Sequence, residues 1–391
     1  MSKVSIFGAG NVGATAAQYL VMKNIASVVL IDNVAGVAEG KALDLLQTGS
    51  VSNHSRLLTG SDNYELTEGS DIVVITAGVA RKPNMSRDDL LKINAAIVKS
   101  VAEKAVKYSP DAIFIIVTNP LDVMTQLAWQ STGLPWQRVI GMAGVLDSAR
   151  FQTFIANELQ VSQEDVRAMV LGGHGDLMVP LIRHASVNGI PLTDLVSAER
   201  IEALSGRTRD GGAEIVKLLK TGSAFFAPGA SVALMVEAIL HDSKRLVPCS
   251  VLAPQSWGLP EVFIGLPVVL GRNGIERVVP LQLNDGEKAA LLKSALSIRE
   301  NVVRANELLA PKPAEAVLAV AQPEAQKAAQ LEQSAAADAT TASAAGNPTH
   351  SEGANTATAI APQAPPTTES TPPAAPVEAA TDKGDTKPPA Q

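Results

Sequence analysis

VSIFGAGNVG, residues 4–13, decides how the chain is read. The short run VSIF has the composition of a buried strand. It passes directly into glycines spaced G-x-G-x-x-G. Residues 11–23 then carry apolar side chains at helical spacing. Strand, glycine turn and helix in that order suit a dinucleotide. Gly8 permits the tight turn, Gly10 lets main chain approach a pyrophosphate, and Gly13 allows the helix to pack close to the strand. With Ala9, Asn11 and Val12 they form the whole turn, whose helix N-terminus offers free N–H groups and the positive end of a dipole. Asp32 closes the next strand, 19 residues beyond Gly13. An acid there bonds ribose hydroxyls and repels a 2′-phosphate, which selects NAD over NADP.

The same alternation continues outward. SVVLID (27–32), DIVVITA (71–77) and AIFIIVTN (112–119) read as buried parallel strands, and RVIGM (138–142) as one more. Amphipathic stretches at 11–23, 36–48, 87–107 and 120–132 separate them. This βαβα order predicts an α/β fold, a Rossmann-type doubly wound parallel sheet. Beyond about residue 150 the pattern changes. Helical stretches at 149–159, 197–220, 229–241 and 285–308 mix with strand-like VRAMVLGG and RLVPCSVL, so a C-terminal α+β part is expected. The expected domains are 1–144 for the cofactor and 145–310 for the substrate.

Residues 311–391 differ in kind. They contain no Phe, Trp or Tyr, 12 of the 24 prolines, and nine acids against four lysines. Such a segment buries too little apolar surface to offset its ordering entropy, so a disordered tail is expected. Most of the net charge of −7 belongs to it. The mild acidity argues against nucleic acid as a partner. Cys249 is the only cysteine, which excludes an intrachain disulfide and a cysteine-rich metal site and fits a reducing compartment. No secretory leader precedes the first glycines and no long uncharged apolar run exists, so a cytoplasmic protein without membrane association is expected.

Five segments carry a resemblance: GAGNVG (8–13), ITAGVARKPNMSRDDLL (75–91), VTNPLDVM (117–124), GVLDSARF (144–151) and GGHGD (172–176). Together they resemble the lactate/malate dehydrogenase family, most closely its lactate-dehydrogenase-like bacterial malate dehydrogenases, over residues 1–310. The resemblance implies catalysis by His174 paired with Asp147, the imidazole taking the alcohol proton in one direction and returning it in the other. It implies that Arg150 clamps the α-carboxylate, that Arg87 polarises the reacting carbonyl, and that Asn119 contacts both substrate and the nicotinamide side. Val117, Thr118 and Asn94 fall at its cofactor-contacting positions. Arg81 occupies the specificity position, where lactate dehydrogenases usually place Gln. A second guanidinium suits a second carboxylate, so the implied substrate is a dicarboxylate, malate or oxaloacetate, in a step of the tricarboxylic acid cycle. The alternative is L-lactate or another 2-hydroxy acid. No metal is implied, and assembly as a homodimer or homotetramer is. Residues 79–90 are expected to form a lid over the substrate. Asn84 and Leu177 depart from the family pattern, where Gly and Thr are more usual. Two rival classes, a metal-assisted NAD-dependent glycosidase and a non-catalytic dinucleotide-binding scaffold, fit less well. GGHGD has no nearby cysteine, and the acid, imidazole and guanidinium set is intact.

Overall fold

Every expected strand of the first half forms, and all but the first are shorter than their apolar runs. The computed structural model describes residues 2–80 and 85–310; the expected disordered tail and Arg81 and Asn84 of the expected lid lie outside the described residues. In the first half the order is β1 (Lys3–Phe7), α1 (Asn11–Met22), β2 (Ser27–Ile31), α2 (Val37–Gln47), α3 (Gly49–Ser52), β3 (Leu58–Ser61), β4 (Ile72–Ile75), α4 (Arg87–Tyr108), β5 (Ile113–Ile116), α5 (Leu121–Thr132) and β6 (Val139–Gly141). The second half continues with α6 (Gly144–Leu159), β7 (Val166–Arg167), β8 (Val170–Leu171), β9 (Val179–Pro180), β10 (Ser186–Val187), β11 (Ile190–Pro191), α7 (Leu192–Leu195), α8 (Ala198–Leu219), α9 (Phe226–Leu240), β12 (Arg245–Leu252), β13 (Phe263–Gly271), β14 (Gly274–Val278) and α10 (Asp285–Leu309).

Six strands lie parallel in the order β6-β5-β4-β1-β2-β3. IVVI of β4 and IFII of β5 are buried at every position, as strands covered on both faces must be. The order reverses between β1 and β4. That reversal opens a crevice beyond their carboxyl ends, where open α/β sheets bind ligands.

The sheet does not stop at residue 144. β12 pairs antiparallel with β6 through Ser250 and Gly141, and β13 and β14 extend it further, so one sheet of nine strands runs through both expected halves. FIGLPVVLG of β13, buried along its whole length, is not among the strands expected from sequence. Gly265 and Pro267 interrupt its strand signal, because both are poor inside strands. VRAMVLGG forms two separate short strands, β7 and β8, rather than one.

Helix ends follow local chemistry. Ser86 and Asp89 form a capping box that starts α4, and Asn284 with Glu287 does the same for α10. α6, like α1, has no side-chain cap among the described residues. It begins at Gly144, five residues before the expected 149, behind Ala143 at φ 27°. Asp147 and Arg150 therefore stand on its first two turns. Among the described residues no helix is long and apolar enough to cross a membrane.

Candidate active site

The turn after β1 is built by contact. Gly8 sits at φ +107°, and a Cβ there would lie 2.6 Å from the Ala77 nitrogen. A Cβ on Gly13 would lie 2.0 Å from the Gly8 carbonyl oxygen, so only hydrogen fits where helix meets strand. Around Gly10, by contrast, no described residue stands within 4 Å of an added Cβ. No side chain caps α1. Its first N–H groups, which lack intrahelical acceptors, therefore face the opening, with Asn11 exposed and Val12 half-buried at its rim. These features fit a dinucleotide pyrophosphate.

Asp32, the acid expected to read the ribose, lies against the glycine turn. One carboxylate oxygen accepts the Ala9 N–H at 2.7 Å, and the other the Val34 N–H at 3.0 Å. The far side is formed by residues 117–119. Val117 is buried, and the Thr118 hydroxyl donates to the Ala77 carbonyl at 2.7 Å. Asn119, which precedes Pro120 through a cis peptide bond, leaves its side chain exposed.

Asn94 is buried. Its amide nitrogen donates to the carbonyls of Val79 and Asn119, at 3.1 and 2.7 Å, and its oxygen accepts the Val79 N–H at 2.8 Å. Both amide hydrogens are thus spent on main chain. The geometry makes Asn94 a brace between the two loops that border the crevice.

The imidazole, the acid and one arginine come together from distant sequence. β8 ends at Leu171, and Gly172, at φ 85°, turns the chain toward the crevice. His174 Nδ1 lies 2.8 Å from Asp147 Oδ2, and the other Asp147 oxygen accepts from Arg150 at 3.4 Å. A carboxylate has no proton to give, so Nδ1 is the donor and the neutral ring keeps its lone pair on Nε2. Burial pulls the imidazole down, but the charge and hydrogen bond of Asp147 outweigh it, with help from Asp122 and against Arg150. The net effect raises His174 above its usual value. Burial lowers the Arg150 guanidinium, and Asp147 opposes this. Arg150 Nε is buried without a hydrogen-bond partner among the described residues. Arg87 starts α4 and is exposed, apart from this cluster, while Arg81 lies outside the described residues.

Asp122 is absent from the residues expected on sequence. It is buried on the first turn of α5. Its carboxylate accepts the His174 N–H at 2.7 Å and the Ser250 hydroxyl at 2.7 Å. Next to it the Gly173 N–H donates to Ser294 on α10 at 2.8 Å. Asp122 thus grips the main chain of His174 while Asp147 grips the ring. Burial pushes the Asp122 carboxyl up, and its two hydrogen bonds draw it back only in part. The available signal was an acid inside the apolar run PLDVM, which is rarely buried without a partner. Asp122→Ala leaves two buried donors unsatisfied, each worth about 1–3 kcal/mol. Urea unfolding should show a loss of roughly 2–5 kcal/mol. Asp122→Asn, which keeps an acceptor for one donor, should lose less.

Residues 2–141 match the family described as lactate/malate dehydrogenase, NAD binding domain, and residues 144–308 match its alpha/beta C-terminal domain. The malate dehydrogenase of Trichormus variabilis is 59% identical over 304 residues, covering 78% of this chain and 94% of that protein. Among solved structures, the apo malate dehydrogenase of Picrophilus torridus superposes with a TM-score of 0.77 at 46% identity, over 78% of this chain and 98% of that one. The lactate dehydrogenase of Cryptosporidium parvum, solved with lactic acid and nicotinamide adenine dinucleotide, gives 0.76 at 39% identity, over 79% of this chain and 99% of its own. The chain belongs to the lactate/malate dehydrogenase family and is an NAD-dependent dehydrogenase of that family.

Proposed function

We propose that the chain interconverts (S)-malate and oxaloacetate, the step found in the tricarboxylic acid cycle. The observation that carries this reading is the cluster of His174, Asp147 and Arg150, with a hydrogen-bonded imidazole beside a guanidinium that has unspent donors. Bound NAD supplies the hydride acceptor. Nε2 of His174 takes the hydroxyl proton of malate, and Asp147 stabilises the imidazolium that results. Arg150 clamps the carboxylate next to the reacting carbon with two parallel donors, which sets orientation as well as charge. Arg87 stabilises oxyanion charge on the reacting oxygen, and Asn119 holds substrate against the nicotinamide side. Arg81 receives the distal carboxylate. The relationship to malate dehydrogenases at more than 50% identity supports the dicarboxylate. Reduction of pyruvate to lactate is the second reading, favoured by the likeness to the C. parvum enzyme.

Steady-state kinetics with NADH separate the two. The kcat/KM for oxaloacetate should exceed that for pyruvate by roughly tenfold to a hundredfold or more, since one charge-assisted contact is worth about 1.5–3 kcal/mol. Equal values would sink the dicarboxylate assignment. Arg81→Gln should lower oxaloacetate kcat/KM by roughly tenfold to a hundredfold and leave pyruvate nearly unchanged.

The pH dependence follows from the raised His174 value. Reduction needs the imidazolium, so its kcat/KM is full at low pH and falls as pH rises through that value. Oxidation of malate needs the neutral ring and rises over the same range. Asp147→Asn removes the main group that raises it, so both limbs move to lower pH. At pH 8 reduction should fall relative to the unmutated chain. A profile that does not move would rule out the pairing as the source of the shift.

We also propose that the chain works as a homodimer or homotetramer. Leu43 and Leu46 on α2 and nearby Val51 and Leu57 are exposed, a run of apolar surface that association would cover. Light scattering of the full chain should return two or four subunit masses, and a single subunit mass would refute it.

A further inference from the structure

Ala9, the second residue of the glycine turn, is held from both sides. Its N–H donates to Asp32 at 2.7 Å, and its carbonyl accepts from the Lys41 ammonium at 2.6 Å. Lys41 stands on α2, the helix that follows the Asp32 loop, and is half-buried. The Ala9 carbonyl is its one hydrogen-bond partner among the described residues. An ammonium has three donors, so two remain unspent across Ala9 from the carboxylate expected to read the ribose.

We propose that Lys41 is a specificity-determining cation at the adenosine end of the NAD site: it braces the glycine turn against Asp32, and it would accept a 2′-phosphate if the Asp32 charge were removed. The physical case is one of competing fields. Asp32 can take ribose hydroxyls as an acceptor and repels a phosphate dianion. Lys41 attracts that dianion, and its flexible stem lets the ammonium leave Ala9 for a stronger anion. With both present, the close carboxylate sets the preference for NAD, and the cation serves the turn. With Asp32 neutral, the same cation faces the ribose alone. This inference rests on NAD binding and not on the identity of the substrate.

The test is a fluorescence titration of NADH and NADPH without substrate, so it stands apart from the malate assignment. Asp32→Ser should tighten NADPH by about tenfold relative to the unmutated chain. Adding Lys41→Gln, whose amide can still donate to the Ala9 carbonyl, should remove most of that gain and weaken NADPH by a larger factor than NADH. Lys41→Arg should preserve the gain, and added salt should erode it. NADH binding by each variant reports that the site is folded, and Asp32→Asn provides a second neutral variant of closer volume. The proposal is overturned if the neutral variants bind NADH but gain nothing for NADPH. It is equally overturned if the gain survives Lys41→Gln, or if that change weakens both dinucleotides by the same factor.

Discussion

The site depends on one part-buried hydrogen bond, from the His174 main chain to Asp122. A histidine at a strand end flanked by glycines has little of its own to fix it. Here its peptide is tied to α5, its neighbour Gly173 to α10, and its ring to α6. Those attachments come from three helices, and Ser250 adds β12 through the second oxygen of Asp122. In a low-dielectric interior such contacts are strong when complete and costly when broken. Asp122 also lies three residues after Asn119. The group proposed to hold substrate near the nicotinamide and the group proposed to take the proton are therefore positioned from the same turn.

The cofactor end works by contrast of space and charge. Gly8 and Gly13 are so close to other main chain that no side chain fits, while no described residue crowds Gly10. The loop thus keeps a free path for a pyrophosphate where it matters and rigid packing elsewhere. Asp32 and Lys41 flank Ala9 with opposite charges. Asn94 then ties the loop after β4 to the loop after β5, so both walls of the crevice are referenced to one buried amide.

Much of this was legible in the residues alone. The parallel strands, their helices, the glycine turn and Asp32 are local features with local causes. A turn needs positive φ, a buried strand needs continuous apolar residues, and a ribose needs an acceptor. The pairing of His174 with Asp147 came from family likeness rather than spacing. Other features were hidden. β13 carries Gly265 and Pro267, which weaken any strand signal, and it forms because β12 and β14 flank it on both edges. The start of α6 was misplaced, since a glycine inside GMAGVLD reads as a break while Ala143 makes the turn.

By itself, then, the sequence determined that strand, glycine turn, helix and Asp32 make a site suited to a dinucleotide, and which residue types could serve it. Tertiary structure alone decided that Asp122, 52 residues from His174, is what holds the main chain of His174, and that Asn94 braces the two loops that border the crevice. The physical reason is range. Turns, caps and strand burial are set by neighbours in the chain, whereas a buried carboxylate is satisfied by whichever donors the fold brings to it.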